Sequence, residues 1–315
     1  MSYAVILGEA LIDLLDGECG GDRVYRQVIG GAPLNVAVGV ARLGEDVEFA
    51  GSVGDDRLGE RIARFLTDAG VGTRNLIRVQ APTTLAVAVF DGAEPEFRFY
   101  GDPPSYGAFR PDDLDEAMVA EAGVLYCGSI GLLSPHLRAA ARSAWATAGP
   151  LRAFDPNVRP SLLTDQAALA DQRALAEEFA ATADLVKLSA ADAQVLYEGV
   201  TPAEAARRLA TVGGGHRTVV VTRGPHGALV FSGGEIAELA APAVRAVDAT
   251  GAGDSVMAAL IAQVLATGPP ADLAGWREYV DFALRVAGLV CESPGGAVSM
   301  PTRAQVARRY ASPPS

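Results

Sequence analysis

The chain has 315 residues, half of them hydrophobic and a fifth charged, with 38 Asp and Glu against 26 Lys and Arg for a formal net charge of -12. This balance suits a globular core rather than a disordered chain, and 25 scattered arginines in an acidic chain do not make the basic stripe that displaces counterions from nucleic acid. The one lysine, Lys187, sits in Asp184-Leu185-Val186-Lys187-Leu188-Ser189, so the chain has no Gly-x-x-x-x-Gly-Lys-Ser/Thr phosphate loop.

Ala4-Val5-Ile6-Leu7 reads as a buried strand. It has no basic flank, and Glu9 and Asp13 interrupt it before a signal-peptide core could form. Residues 34–43 predict a helix opening after Gly30-Gly31-Ala32-Pro33, with proline in its first turn. A strand over 47–52 and a helix over 57–69 follow. Further strands are expected at 124–127, 151–154, 185–188 and 218–222, with helices at 135–148, 171–181 and 202–210 between them. Strands alternating with helices imply crossover units and a mainly parallel sheet covered on both faces. Residues 11–29 and 82–101 break that rhythm with strand-like segments at 24–29, 84–90 and 96–100 and no helix. They form either a small separate sheet, a natural lid over a cleft, or ordinary surface hairpins. The last helices are expected at 254–266, 276–290 and 303–310, before a frayed tail, Ser312-Pro313-Pro314-Ser315.

Other features of the sequence narrow the setting. Cys19, Cys127 and Cys291 are odd in number and far apart, which argues against a disulfide framework and suits a reducing cytosol. Cys127 reads as a buried strand residue. No uncharged apolar run approaches the roughly 18 residues of a membrane span, so a cytoplasmic protein with no membrane partner is expected. His136, His216 and His226 are isolated, without metal-ligand spacing. No strand leads into Gly-x-Gly-x-x-Gly with an acidic residue about 20 positions on, which excludes a dinucleotide-dependent hydride transfer.

Chemistry is concentrated in Asp248-Ala249-Thr250-Gly251-Ala252-Gly253-Asp254 and the apolar helix that follows it. A glycine-rich turn feeding a helix leaves unpaired N–H groups at the positive end of the helix dipole. That is an anion site needing no lysine. Asp254, in the first turn, is either a helix-capping residue or a general base beside that anion hole, able to take a proton from a hydroxyl that attacks a phosphate.

The segment resembles the second signature of the pfkB family, the ribokinase-like carbohydrate kinases, whose pattern is Asp-Thr-x-Gly-Ala-Gly-Asp. In the same order, Gly30-Gly31-Ala32-Pro33-Leu34-Asn35, continuing to Gly51-Ser52-Val53-Gly54-Asp55-Asp56, resembles the family's first signature. Gly8-Glu9-Ala10-Leu11-Ile12-Asp13 resembles its opening strand. Phe154-Asp155-Pro156-Asn157-Val158-Arg159 and Val221-Thr222-Arg223-Gly224-Pro225-His226-Gly227-Ala228 also match in kind and order. The resemblance implies a ribokinase-like α/β fold, a three-layer α/β/α sandwich with a mainly parallel central sheet. A small β-sheet lid from about 11–29 and 82–105 would complete a single domain spanning residues 1–315.

What the resemblance implies can be placed on this sequence. Asp254 matches the catalytic base, and Gly251, Ala252 and Gly253 the anion hole for the transferring phosphoryl group. Asp13, Gly30, Gly31 and Asn35 match groups that bind sugar hydroxyls, Tyr100 lies in the lid segment facing the substrate, and Arg159 is expected near the sugar or the terminal phosphate. Lys187, Ser189, Asp192, Thr222, Gly224 and Gly227 fall on the nucleotide side. Ser189 and Asp192 stand where the family has Asn and Glu to organise magnesium, and the shorter carboxylate would act through water. Ala249 replaces the usual threonine of the second signature, while Asp248, Thr250, Gly295 and Ser299 resemble a monovalent-cation site.

ATP and Mg2+, with K+ at that last site, are the cofactors implied. Fructokinases and 2-keto-3-deoxygluconate kinases are the most similar groups, and a fructokinase is expected. Gly101 stands where these groups place arginine, which weakens the case for an anionic sugar acid and leaves room for another hexose or a riboside. Partners would be a small-molecule sugar and ATP, with a homodimer formed through the lid sheet. A catalytically inactive sugar-binding regulator is the rival reading, and the intact Asp254 motif argues against it.

Overall fold

The first strand shows how the layers arise. In β1 (Ala4–Leu7) every residue is buried, but Ala4 and Ile6 belong to one hydrophobic core while Val5 and Leu7 belong to another. Alternating side chains with both faces apolar require a layer on each side of the strand. The structure, a computed structural model, describes residues 2–90, 95–163, 165–214 and 217–311. His216, residues 91–94 of the lid span and the 312–315 tail lie outside the described residues.

The remaining strands are β2 (Leu11–Cys19), β3 (Asp22–Gly30), β4 (Val47–Gly54), β5 (Gly72–Val79), β6 (Leu85–Phe90), β7 (Pro95–Tyr100) and β8 (Val124–Gly128). They continue with β9 (Leu151–Asp155), β10 (Leu185–Ser189), β11 (Thr218–Thr222), β12 (Ala228–Ser232) and β13 (Glu235–Leu239). Nine form one sheet in the order β13-β12-β11-β10-β9-β8-β1-β4-β5, every neighbouring pair parallel except β11–β12 and β12–β13, so that β12 runs against the others. Helices cover both faces, as the alternating pattern predicts. Helix Ala252–Thr267 is buried along most of its length and meets helix Ala32–Arg42 closely: a Cβ added at Gly39 would stand 2.5 Å from the Ala258 Cβ.

The other four strands form the separate sheet expected from residues 11–29 and 82–101, in the order β3-β2-β6-β7. Its register fixes its faces. Asp13 lies opposite Ala86, and Ala86 opposite Phe99, so these three share one face; Ile12, Leu85 and Tyr100 share the other.

Several elements or their limits went beyond the sequence pattern. Edge strand β5 carries Arg74, Asn75 and Arg78 and alternates poorly. The β12–β13 hairpin turns on Gly233-Gly234, both at positive φ, a two-residue signal the sequence does carry. Helix Gln166–Ala180 starts five residues before the expected 171, because Asp165 caps it by accepting from Ala168 N at 2.8 Å.

Candidate active site

The order in which successive strands join the sheet reverses between the parallel neighbours β1 and β8, and in open α/β sheets the crevice beyond the strand ends at such a point receives ligands. A cleft of about 510 Å³ lies there. Its walls come from residues at the C-terminal ends of five strands: Glu9 after β1, Ser129 after β8, Asn157 after β9, Ser189 of β10 and Thr222 of β11. The lid contributes Asp13, Ala86 and Phe99, the three residues that its register puts on one face.

At the centre, Gly251 holds the left-handed conformation (φ 79°) and helix Ala252–Thr267 begins directly after it. Ala252 N donates to Ala249 O at 3.1 Å and Ser255 N to Gly251 O at 2.8 Å, so of the first-turn N–H groups those of Gly253 and Asp254 are the ones without a backbone partner among the described residues. Asp254 is 6% exposed. Its Oδ2 accepts from Asn35 Nδ2 at 2.8 Å and its Oδ1 from Asn157 Nδ2 at 3.1 Å. Its side chain therefore does more than cap the helix, because two elements distant in sequence fix the carboxylate toward the cleft. Asn35 Oδ1 is buried without a hydrogen-bond partner among the described residues.

Beside this centre lies an excess of carboxylates. Burial raises the Asp13 pKa to about 7, with Arg159 opposing and Asp254 adding to the rise. Gly30 makes room for this group, since a Cβ there would stand 2.0 Å from Asp13 Oδ2. Glu9, 1% exposed, is raised by burial to about 7 against the Ser129 hydroxyl, backbone N–H groups and Arg159; its Oε2 accepts from Gly131 N at 3.0 Å. Ser129 (φ 64°) and Asn157 (φ 39°) are the two non-glycine residues at positive φ among the described residues, and both line the cleft. Backbone held in such sparsely populated regions clusters at functional sites.

On the far side of Asp254, Asp192 and Ser189 form a reciprocal cap. Ser189 N and Oγ donate to Asp192 Oδ2, each at 2.8 Å, while Asp192 Oδ1 accepts from Val158 N at 2.9 Å. Thr222 and Gly224 continue that wall. Lys187 is 3% exposed and donates to Asp155 Oδ2 at 2.8 Å. Asp248 sits just behind the turn, its Oδ1 accepting from Thr250 N and its Oδ2 from Gly295 N. Burial works against its charge, but these hydrogen bonds outweigh burial and hold its pKa below the ordinary aspartate value. Ser299 Oγ donates to Gly296 O at 2.8 Å.

The structure thus gathers most of the residues singled out from sequence around one cleft and leaves a few outside it. Tyr100 is 54% exposed and faces away, a correction that follows from strand alternation: Phe99 takes the cleft face and Tyr100 the opposite one. Gly227 does not line the cleft either. It is a turn residue at φ 82° before β12, where a Cβ would stand 1.9 Å from Leu239 O. Gly30, Asp248, Gly295 and Ser299 do not line the cleft, and Ser299 lines a separate pocket with Arg42 and Met300. Sequence reasoning passed over Glu9, Phe99, Ser129 and Asn157; a charged residue ending an apolar strand was the available sign for Glu9.

Comparison with known proteins shows what the whole chain is similar to. The description "pfkB family carbohydrate kinase" matches residues 1–303. The fructokinase of Klebsiella pneumoniae is 34% identical over 311 residues, covering 96% of this chain and 97% of its own. The crystal structure of fructokinase with bound ATP from Xylella fastidiosa superposes with a TM-score of 0.87 at 27% identity, covering 97% of both chains. A fructokinase from Vibrio cholerae O395, in a fructose-, ADP- and calcium-bound form, gives a TM-score of 0.85 at 27% identity and 98% coverage of both.

Proposed function

The chain belongs to the pfkB family of carbohydrate kinases, and we propose that it transfers the γ-phosphoryl group of ATP to a hydroxyl of fructose with Asp254 as the base. The observation that carries this reading is the Asp254 carboxylate, held by Asn35 and Asn157 at the mouth of the Gly251 turn in the cleft that also contains Asp13. Phosphoryl transfer asks mainly for positioning and charge stabilisation. The sugar oxygen forms a bond to the γ-phosphorus, the bond from that phosphorus to the β–γ bridging oxygen breaks, ADP leaves, and the sugar proton passes to Asp254. The N–H groups of Gly251 and Gly253 meet the charge on the transferring group, whereas that of Ala252, expected from the sequence to join them, is held by Ala249 O at 3.1 Å and shapes the turn instead.

Asp13, Gly31 and Asn35 bind the sugar, and the buried Asn35 Oδ1 offers an acceptor that a sugar hydroxyl would satisfy. Glu9 and Asp13 both feel the charge of Arg159, the one arginine lining the cleft among the described residues, and this excess of carboxylates favours a neutral ketose over a sugar acid. Ser189, Asp192, Thr222 and Gly224 form the nucleotide side. Magnesium would neutralise nucleotide phosphates, and the buried Asp192 carboxylate suits the oxygen-rich shell that this ion prefers. A potassium ion beside Asp248, Thr250, Gly295 and Ser299 would stiffen the loop behind the anion hole; the ionised carboxylate and hydroxyl are the hard oxygen donors it needs.

The enzyme works as a homodimer in the cytoplasm. Of the exposed large hydrophobic residues among those described, Val24, Tyr25 and Tyr100 all lie on the lid sheet, a concentration that favours a protein partner there. No helix among the described residues is long and apolar enough to cross a membrane. The test is a coupled ADP-release assay with magnesium over ketoses, aldoses, sugar acids and nucleosides, with potassium present and absent. Fructose is expected to give the highest kcat/KM; the absence of sugar-stimulated ATP turnover overturns the reading.

A further inference from the structure

Lys187 and Asp155 form a buried ion pair that the phosphoryl-transfer scheme leaves without a task. Strands β9 and β10 run parallel with Leu185 opposite Ala153 and Val186 opposite Phe154, and continuing that register brings Lys187 beside Asp155. The two side chains are 3% and 0% exposed, and Lys187 Nζ donates to Asp155 Oδ2 at 2.8 Å. Ion pairs removed from water contribute little or nothing to stability on balance, so a pair of this kind calls for a role in specificity of arrangement.

The hydrogen bonds supply that role. Asp155 Oδ1, the oxygen that Lys187 leaves free, accepts from Asn157 N at 3.1 Å. Asn157 holds φ at 39°, a left-handed conformation that costs a non-glycine residue energy, and its side-chain Nδ2 donates to Asp254 Oδ1 at 3.1 Å. The chain of contacts therefore runs from Lys187 through Asp155 and Asn157 to Asp254. Two donors converge on Asp155, and only a carboxylate offers a separate acceptor oxygen to each. Burial works against the Lys187 charge, yet the carboxylates of Asp155, Asp192 and Asp254 outweigh burial, and its pKa lies above the ordinary lysine value.

We propose that Lys187 is a positioning residue: through Asp155 it holds Asn157 in the left-handed conformation that aims its amide at Asp254. The proposal rests on the reading of Asp254 as the base. In Asp155→Asn a single amide oxygen must choose between Lys187 and Asn157 N, and the ammonium, the stronger donor, takes it. Asn157 is released, and kcat should fall by roughly 10²-fold, the cost of a misplacement of about 1 Å. The KM for fructose should stay near the wild-type value, because Asp13 and Gly31 are untouched.

Adding Lys187→Met removes the competing donor, so the lone amide oxygen of residue 155 can again accept from Asn157 N. The double variant should therefore turn over faster than Asp155→Asn alone, and this rescue is the decisive result. If the Lys187 charge acts directly on the nucleotide phosphates, the double variant is no faster than the single one; if the pair merely supports folding, any rescue disappears once kcat is divided by the folded fraction from urea unfolding, and either result overturns the proposal. Where Asp155→Asn fails to fold, Asn157→Ala with and without Lys187→Met serves instead: equal kcat in the two supports a shared chain, and multiplied losses overturn it. Loss of activity in wild type, or full activity in Asp254→Asn, would instead count against the kinase reading itself.

Discussion

Asn35 and Asp254 lie 219 positions apart in the chain and meet through a hydrogen bond of 2.8 Å from amide Nδ2 to carboxylate Oδ2. With Asn157 on the other oxygen, the carboxylate is fixed at both ends before any sugar arrives. Asp254→Asn removes the proton acceptor and also presents an amide NH2 to one of two facing amide donors. Turnover should fall by about 10²- to 10⁴-fold, the usual worth of a positioned base. Fructose affinity measured by calorimetry should stay close to wild type, since Asp13 and Gly31 remain. Full activity in this variant removes Asp254 from the role of base.

The turn behind the anion hole is just as exacting. Gly251 sits at φ 79°, and a Cβ there would stand 2.8 Å from the Gly296 Cα, backbone that cannot swing aside. Gly251→Ala should cost about 1–3 kcal/mol of stability through strain and lower kcat as the N–H groups shift. Gly268, which ends the same helix at φ 81° with nothing within 4 Å, provides the control. Gly268→Ala should lose stability in urea unfolding while keeping wild-type turnover, and equal kcat in the two variants would show that the Gly251 contact with Gly296 is catalytically silent.

Legibility from sequence followed the range of the interactions. The parallel sheet was readable because apolar runs such as Thr218–Thr222 alternate with amphipathic stretches, a purely local pattern. The Asp248 to Asp254 turn was readable because its glycines and its helix are contiguous. The Asn35 and Asn157 contacts to Asp254 were not, since only the folded sheet brings them together. Tyr100 was misplaced for a different reason: a strand position is in or out by a single residue, and only the pairing of Phe99 with Ala86 and Asp13 shows which. Lys187 lay on the expected strand end, but its target, Asp155, is a neighbour in the sheet rather than in sequence.

Glu9 should make the fold more stable in mild acid than above neutrality. Burial raises its carboxyl from an ordinary value of 4.5 to about 7. A raised acid means that between these values the folded chain binds more protons than the unfolded one, so stability falls as pH rises through the window and levels off above it. The penalty for ionised Glu9 is on the order of 3 kcal/mol. Glu9→Gln keeps an acceptor for Gly131 N without the charge, so it should be more stable than wild type at pH 8 and close to it at pH 5. Some slope will remain, because Asp13, also raised to about 7, titrates in the same window. Parallel Tm profiles for the variant and wild type would exclude Glu9 as the source.

Neighbouring aromatics on β7 should separate two functions of the lid. Phe99 shares the cleft face with Asp13 and Ala86, whereas Tyr100 is 54% exposed on the opposite face, pairing with Leu85. Phe99→Ala strips an apolar wall from the sugar pocket and should raise the KM for fructose about tenfold, equivalent to roughly 1.4 kcal/mol of lost contact. Its kcat should change less, because the Asp254 hydrogen bonds do not involve β7. Tyr100→Ala should leave KM unchanged. With Tyr25→Ser added, it should shift light scattering toward the monomer, as expected if the exposed lid residues face a second copy of the chain. A KM effect from Tyr100 equal to that of Phe99 would mean that the strand twists in the closed complex, and the alternation argument would then fail for the working enzyme.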